Sequence, residues 1–240
     1  MLKWLTSLFG HPHDENLAAR QEDYRRFREL ARRHNLVLVK QLPPAALPEC
    51  GKKLGLYKAG TLILNQDDEI AVAYDYCLHH HRRGGRNLIE RILAQQPPAE
   101  GTDELRYLQA LAGARFSLFR IAEILPHQGA RLIDLLTDQP VDIHDMGLQS
   151  TGQPGVIVAG RLLDFGDFSM SSGTLIPIPG TVFEARIQAV MRKFWPGLPA
   201  DDTPLSPALS PAQTAAFEAQ ILRIALHAEE DMSFYTDMEN

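Results

Sequence analysis

Between Arg115 and Ile178 the chain is a series of short apolar runs cut by turn residues, and this grammar limits the fold more than any other stretch. FSLFRIAEIL stops at His127-Gln128-Gly129, and ARLIDLL stops at TDQP. VDIHD comes next, VIVAGRLLDF follows GQPG, and FSMSS follows Gly166-Asp167. Val141 and Ile143 alternate with Asp142 and His144, and Phe168 and Met170 alternate with Ser169 and Ser171. A period of two marks half-buried strands. Five such runs with short connections predict an antiparallel meander. The open edges of so small a sheet need cover, so it closes into a small barrel or packs under helices.

The flanking segments have helical grammar. Residues 14–34 carry Leu17, Tyr24, Phe27 and Ala31 at helical spacing, with Asp14 as a cap. LVLVK at 36–40 reads as a short strand, and the prolines of QLPPAALPE break the pattern. Asp67 and Asp68 suit the first turn of another helix. Further helices follow at 87–95 and after Thr102. In TVFEARIQAVMRKFW, Thr181 and Glu184 are spaced as a capping box, and Ser210 with Gln213 repeats the pattern after a proline-rich linker at 196–211. The expected architecture is α+β. Residues 1–113 form a helical domain, 114–180 a small β module of five antiparallel strands, and 181–240 two C-terminal helices with their linker.

Composition narrows the function classes. A chain of 240 residues with 45% hydrophobic content can bury a core without staples. Two cysteines, Cys50 and Cys77, make no disulfide framework. No apolar run approaches the roughly 20 residues of a membrane span, and MLKWLTSLFG lacks the pattern of a secretory signal. The expected location is the cytoplasm. Net charge is −6, with residues 1–100 at +3 and the remainder at −9. That balance disfavours broad affinity for nucleic acid.

Three groups of residues are candidates for chemistry. In CLHHHRRGGRNLIE, side chains about 100° apart on a helix keep His79, His80 and His81 from converging on one ion. Arg82, Arg83 and Arg86, beside a helix opened by Asn87, could instead hold an anion. Asp142 and His144 share a strand face, and with His127 they form the only candidate metal set. For contact with a partner, Trp4 lies on an apolar stripe near the start. Phe217, Ile221 and Ile224 make one stripe on the last helix, and Leu222 and Leu226 add a second. Glu49-Cys50-Gly51-Lys52-Lys53 has no second ligand pair at zinc spacing. No G-x-S-x-G, P-loop or G-x-G-x-x-G occurs.

AYDYCLHH, GGRNLIERILA, RLIDLLTDQPVDIHD and GVIVAGRLLDF together resemble a group of uncharacterised bacterial proteins in which helices precede a small β module. The likeness covers about residues 67–180. It implies the architecture and a bacterial cytoplasm, and it assigns no activity to any residue. With no convergent catalytic set, the expected function is non-catalytic: an interaction or accessory protein that binds a protein partner or self-associates, without a cofactor. The alternatives are nucleic-acid binding through the basic loop 82–86 and metal-dependent hydrolysis at Asp142, His144 and His127.

Overall fold

The computed structural model describes residues 12–64, 67–195 and 209–228. Helix α1 spans Pro12–Lys40 and absorbs the segment predicted as a strand at 36–40. The reason is register. Leu38 falls on the same face as Phe27, Leu30 and Ala31, and that face is buried. A β-branched pair costs a helix only a few tenths of a kcal/mol, so packing decides. Leu36 and Val37 are left pointing outward.

Helix α2 (Ala46–Leu54) stops at Gly55, whose φ of 79° gives the left-handed residue that ends many helices. A minimal hairpin follows, β1 (Tyr57–Lys58) and β2 (Thr61–Leu62). Next come α3 (Asp67–His80), α4 (Leu88–Gln95) and α5 (Asp103–Gly113). Asn87 and Glu90 close a capping box at the start of α4, and the Thr102 side chain caps α5.

The central module has the five expected strands: β3 (Arg115–Leu125), β4 (Gly129–Asp134), β5 (Gln139–His144), β6 (Ile157–Asp164) and β7 (Ser169–Ile178). They close into a barrel in the order β3-β4-β5-β7-β6. The order departs from a meander in one place. A short helix, α6 (Met146–Thr151), is inserted between β5 and β6, and β5 pairs with β7 in parallel. Asp145 starts α6 by accepting the Leu148 N–H. Strand β3 joins both halves: its first residues pair with β6 and its last with β4, with a bulge between Ile121 and Glu123 that bends it. Gly129 sits where two backbones meet. A Cβ there would lie 2.3 Å from the Ile143 carbonyl oxygen and 2.5 Å from Asp145 N, so only glycine fits.

Five strands in this order, with a helix between the third and fourth, have the topology of the OB-fold, the Greek-key barrel that often binds oligonucleotides or oligosaccharides. Topology alone assigns no function.

After the barrel come α7 (Gly180–Val182), a π-helical turn (Phe183–Ile187) and α8 (Gln188–Phe194). The predicted box of Thr181 and Glu184 does not form. The N-cap is Pro179, two residues before Thr181, and it has no side-chain cap bond. Helix α9 (Pro211–Leu226) has the expected Ser210–Gln213 box. The proline-rich linker lies almost wholly outside the described residues, as does Trp4.

Three apolar clusters hold the molecule together. Phe119, Ile121, Ala130, Leu132, Ile143 and Val158 fill the barrel. Tyr24, Phe27, Tyr107, Leu108, Phe168 and Met170 join α1 and α5 to the β6–β7 end. Leu54, Tyr76, Leu118, Phe217, Ile221 and Leu222 join α2, α3 and α9 to the opposite flank. No described helix is long and apolar enough to cross a membrane.

Candidate functional site

In an OB-fold the ligand face is formed by the second and third strands and by the loops after the first and fourth. Here those parts are β4, β5 and the turns at 126–128 and 165–168, and each is occupied from within. Arg131 on β4 makes a two-pronged ion pair with Asp142 on β5, at 2.7 and 2.8 Å, with Glu123 at 3.6 Å. His144 is buried between Tyr24 and Phe168, with ring centroids at 6.2 and 5.8 Å. The two aromatics of the second turn, Phe165 and Phe168, stack on each other at 4.7 Å, and Phe27 of α1 lies against both. Arg106 of α5 seals the edge: it packs over Phe165 and binds the Phe165 carbonyl and Asp167. Gln21 donates to the carbonyl of His127.

The three candidate metal residues therefore have separate environments. Asp142 is exposed and bound to Arg131. His127 is exposed in a tight turn, with φ of 63°. His144 is buried, and both ring nitrogens lack a hydrogen-bond partner among the described residues. Burial, and then the charge of Arg20, lowers its pKa. Among the described residues, no three His, Cys, Asp or Glu side chains are grouped to hold a metal ion.

The His/Arg-rich junction is also largely satisfied by its own side chains. Arg83 and Arg86 bracket Gly84 and Gly85 in a tight turn, both glycines at positive φ. Arg82 donates to the Gly85 carbonyl and to Glu90. Glu90 also accepts the Asn87 N–H, so a carboxylate of this chain already occupies the start of α4. Arg83 and Arg86 stay exposed at the tip. Of the three histidines, His81 lies 3.5 Å from Glu49, and His79 is buried with its Nε2 unpartnered. The Cys77 thiol pKa is raised by its hydrogen bond with Cys50 and by burial, which keeps it neutral.

His80 belongs to a buried charge network that the sequence did not reveal. Arg161 of β6, 3% exposed, donates to Asp75 at 3.1 Å and to Glu218 at 2.6 Å. The second Glu218 oxygen lies 2.7 Å from His80 Nε2. Burial would raise the Glu218 carboxyl, but Arg161 and His80 outweigh it, and the pKa is lowered. The network pins α9 to the barrel and to α3. Phe217, Ile221 and Leu222 of α9 are buried in the chain's own core, and Ile224 and Leu226 are half-buried against it.

An open site remains on another side. A cleft of about 660 Å³ lies between α1, α3 and the barrel end formed by β7 and the start of α6. Its floor is polar. Arg28 donates to the carbonyl and hydroxyl of Ser171 at 3.1 and 3.0 Å, and Ser171 donates to Asp145 at 2.7 Å. Arg28 also lies over the Tyr24 ring at 5.3 Å. Ser172 is buried, and its hydroxyl has no partner among the described residues. Arg32 and Asn35 extend the Arg28 face of α1, while Tyr74 and Asp75 face them from α3. The walls are aliphatic, with Leu36 66% and Met146 45% exposed. A second hollow, of about 670 Å³, lies beside α9, but Glu69 is the only ionisable residue in its lining among the described residues. Apolar walls with a few convergent polar groups are the usual make-up of a ligand pocket. The first cleft has them.

Ser171 and Asp145 do not make a nucleophile and base. No imidazole joins them, and the serine is held by an arginine that donates to it. The sequence patterns missed this cleft because its residues come from five separate elements, α1, α3, α5, α6 and β7, and match no motif. The one legible trace was the Arg28, Arg32, Asn35 spacing along one helical face.

No curated protein and no solved structure matches the chain. A family model does match, over residues 18–195, which takes in α1 through α8 and so every wall of the cleft. The chain belongs to the family of unknown function DUF7986.

Proposed function

We propose that this is a non-catalytic accessory protein that recognises its partner through the cleft between α1, α3 and the barrel end. The observation that carries the reading is the contrast within the cleft. Its aliphatic walls are open, and its floor holds an arginine, two serines and an aspartate, but no activated nucleophile. Nucleic-acid binding has less support. Base stacking needs exposed aromatics, and the large exposed apolar side chains among the described residues are Leu36, Val37, Ile63, Leu64 and Met146, all aliphatic.

The test is a thermal-shift screen of the full chain against a library of small metabolites and short peptides. A parallel screen uses Ala71→Trp, which places an indole in the cleft at an exposed helical position. Ligands that raise Tm of the wild type, lose the effect in Ala71→Trp and are recovered unchanged support the reading. Chemical conversion of a bound ligand, or hits indifferent to Ala71→Trp, would end it.

A further inference from the structure

From the chemistry of the cleft we infer that its ligand is a small aliphatic monoanion, a carboxylate carrying a medium-length hydrocarbon chain. The inference rests on the binding role proposed above and specifies the ligand. Three observations carry it.

The first is the ion pairing of the lining. Arg28 and Asp145 lie 3.5 Å apart and offset each other, and Asp75 is bound to the buried Arg161, which it shares with Glu218. That leaves Arg32, which is exposed, lines the cleft and forms no ion pair among the described residues. One guanidinium without a carboxylate partner suits one carboxylate. A phosphate dianion would bring a second charge toward Asp145, with no cation left to meet it.

The second is the unfinished floor. Ser172 is 92% buried and lines the cleft, and its hydroxyl lacks a partner among the described residues, a condition that costs free energy until an acceptor arrives. Arg28 is held rigid by Ser171, so its guanidinium presents its remaining N–H groups without having to be ordered first. Donors dominate this floor, and a carboxylate consists only of acceptors.

The third is the wall. Leu36, Val39, Ile70 and Met146 line the same cleft. Leu36 and Met146 are among the most exposed large apolar side chains described. A hydrocarbon chain lying along them removes that surface from water, and methionine adapts to chains of differing shape. The volume is within the range of small-molecule pockets.

The experiment is isothermal titration of the full chain with sodium decanoate, 1-decanol, decylamine and decyl phosphate, each below its aggregation limit. Decanoate is expected to bind at least tenfold more tightly than the other three. Arg32→Ala should weaken decanoate at least tenfold and leave decanol unchanged. Ser172→Ala should weaken decanoate by a smaller factor. Arg32 is exposed, so its variant tests the charge even if Arg28→Ala fails to fold. Equal affinity for decanol and decanoate, an unchanged decanoate affinity in Arg32→Ala, or decanoate binding that survives Ala71→Trp would each overturn the inference. If all four amphiphiles fail while the library screen yields a ligand blocked by Ala71→Trp, the anion inference falls and the binding role stands. If the screen also yields nothing, both fall.

Discussion

The β4–β5 face and the α1–α3 cleft lie on the same small barrel, yet they are finished in opposite ways. On the first, the groups suited to a ligand are paired or covered: Arg131 has Asp142, Phe165 has Phe27, and His144, though its ring nitrogens lack a hydrogen-bond partner among the described residues, is buried between Tyr24 and Phe168. On the second, a guanidinium is fixed but not enclosed, a serine hydroxyl is buried without a partner, and leucine and methionine face water. A barrel topology associated with nucleic acids therefore says little about where this chain binds. Helices α1 and α5 have taken one end of the usual ligand face as packing surface, and an exposed ion pair occupies the rest. The open chemistry is where helices and barrel meet.

The largest expected effect is at the network behind the cleft wall. Glu218→Ala leaves Arg161 buried with only Asp75 and the Ala114 carbonyl as partners. The expected loss is about 3–5 kcal/mol in urea denaturation. The double variant Arg161→Met with Glu218→Leu should recover most of it, because burying two apolar side chains costs less than stranding one charge. If the double variant is no better than the single, the network is not what holds α9. The sealed face comes next. Phe27 is fully buried against Phe165 and Phe168, so Phe27→Ala should cost about 3 kcal/mol. It should also leave decanoate affinity in the remaining folded protein within twofold. A large loss of affinity would mean the two regions are energetically one.

These two regions were unequally legible in the sequence. Elements with strong local signals were readable: the strand through Val141–His144, the Asn87–Glu90 box and the Ser210–Gln213 box all occur, although the alternation fails at His144, which is buried beside Ile143. Leu36–Lys40 was misread because β-branched composition outweighed the register that places Leu38 on the buried face of α1. The barrel closure was half-readable. Five strands followed from pattern, but the parallel β5–β7 pair depends on α6, a helix of six residues whose sequence MGLQST resembles a turn. The apolar breadth of α9 was visible. Its fully buried acid was not, because a lone Glu218 in a helical stripe carries no sign of an arginine 57 residues away. The cleft was the least legible of all, since proximity between α1, α3 and β7 exists only in the folded chain.

A pH titration sharpens the comparison with a smaller effect. His144, on the sealed face, has its pKa lowered by burial and by Arg20, and His79, near the network, has its pKa lowered well below normal by burial and by Arg161. For both, the unfolded chain binds a proton more readily than the folded one. Stability is therefore complete above the unfolded value of about 6.5 and falls as the pH drops below it. Denaturant midpoints at pH 7.5 and 5.5 should show the loss. His144→Phe should reduce the difference without abolishing it, since His79 remains. An unchanged difference would mean that His144 is hydrated or paired in solution.

The smallest effect belongs to the ion pair that most resembles a site. Arg131 and Asp142 have ideal two-pronged geometry on the face an OB-fold would use, but both are open to solvent. Water and salt screen such a pair, and its geometry costs side-chain freedom. Arg131→Ala is therefore expected to shift Tm by no more than a degree or so, on the order of the least useful surface pairs. It also tests whether the face is closed by chemistry or only by charge. Removing Arg131 frees Asp142, and if the pair were masking a metal site, Asp142 with the nearby His144 would then take up zinc. The expected result is none. His144 lies beneath Tyr24 and Phe168, and releasing Asp142 does not uncover it. Zinc uptake by Arg131→Ala, in equilibrium dialysis against wild type, would show that the packing of α1 on the barrel is looser than its buried aromatics indicate, and would return the sealed face to the list of working surfaces.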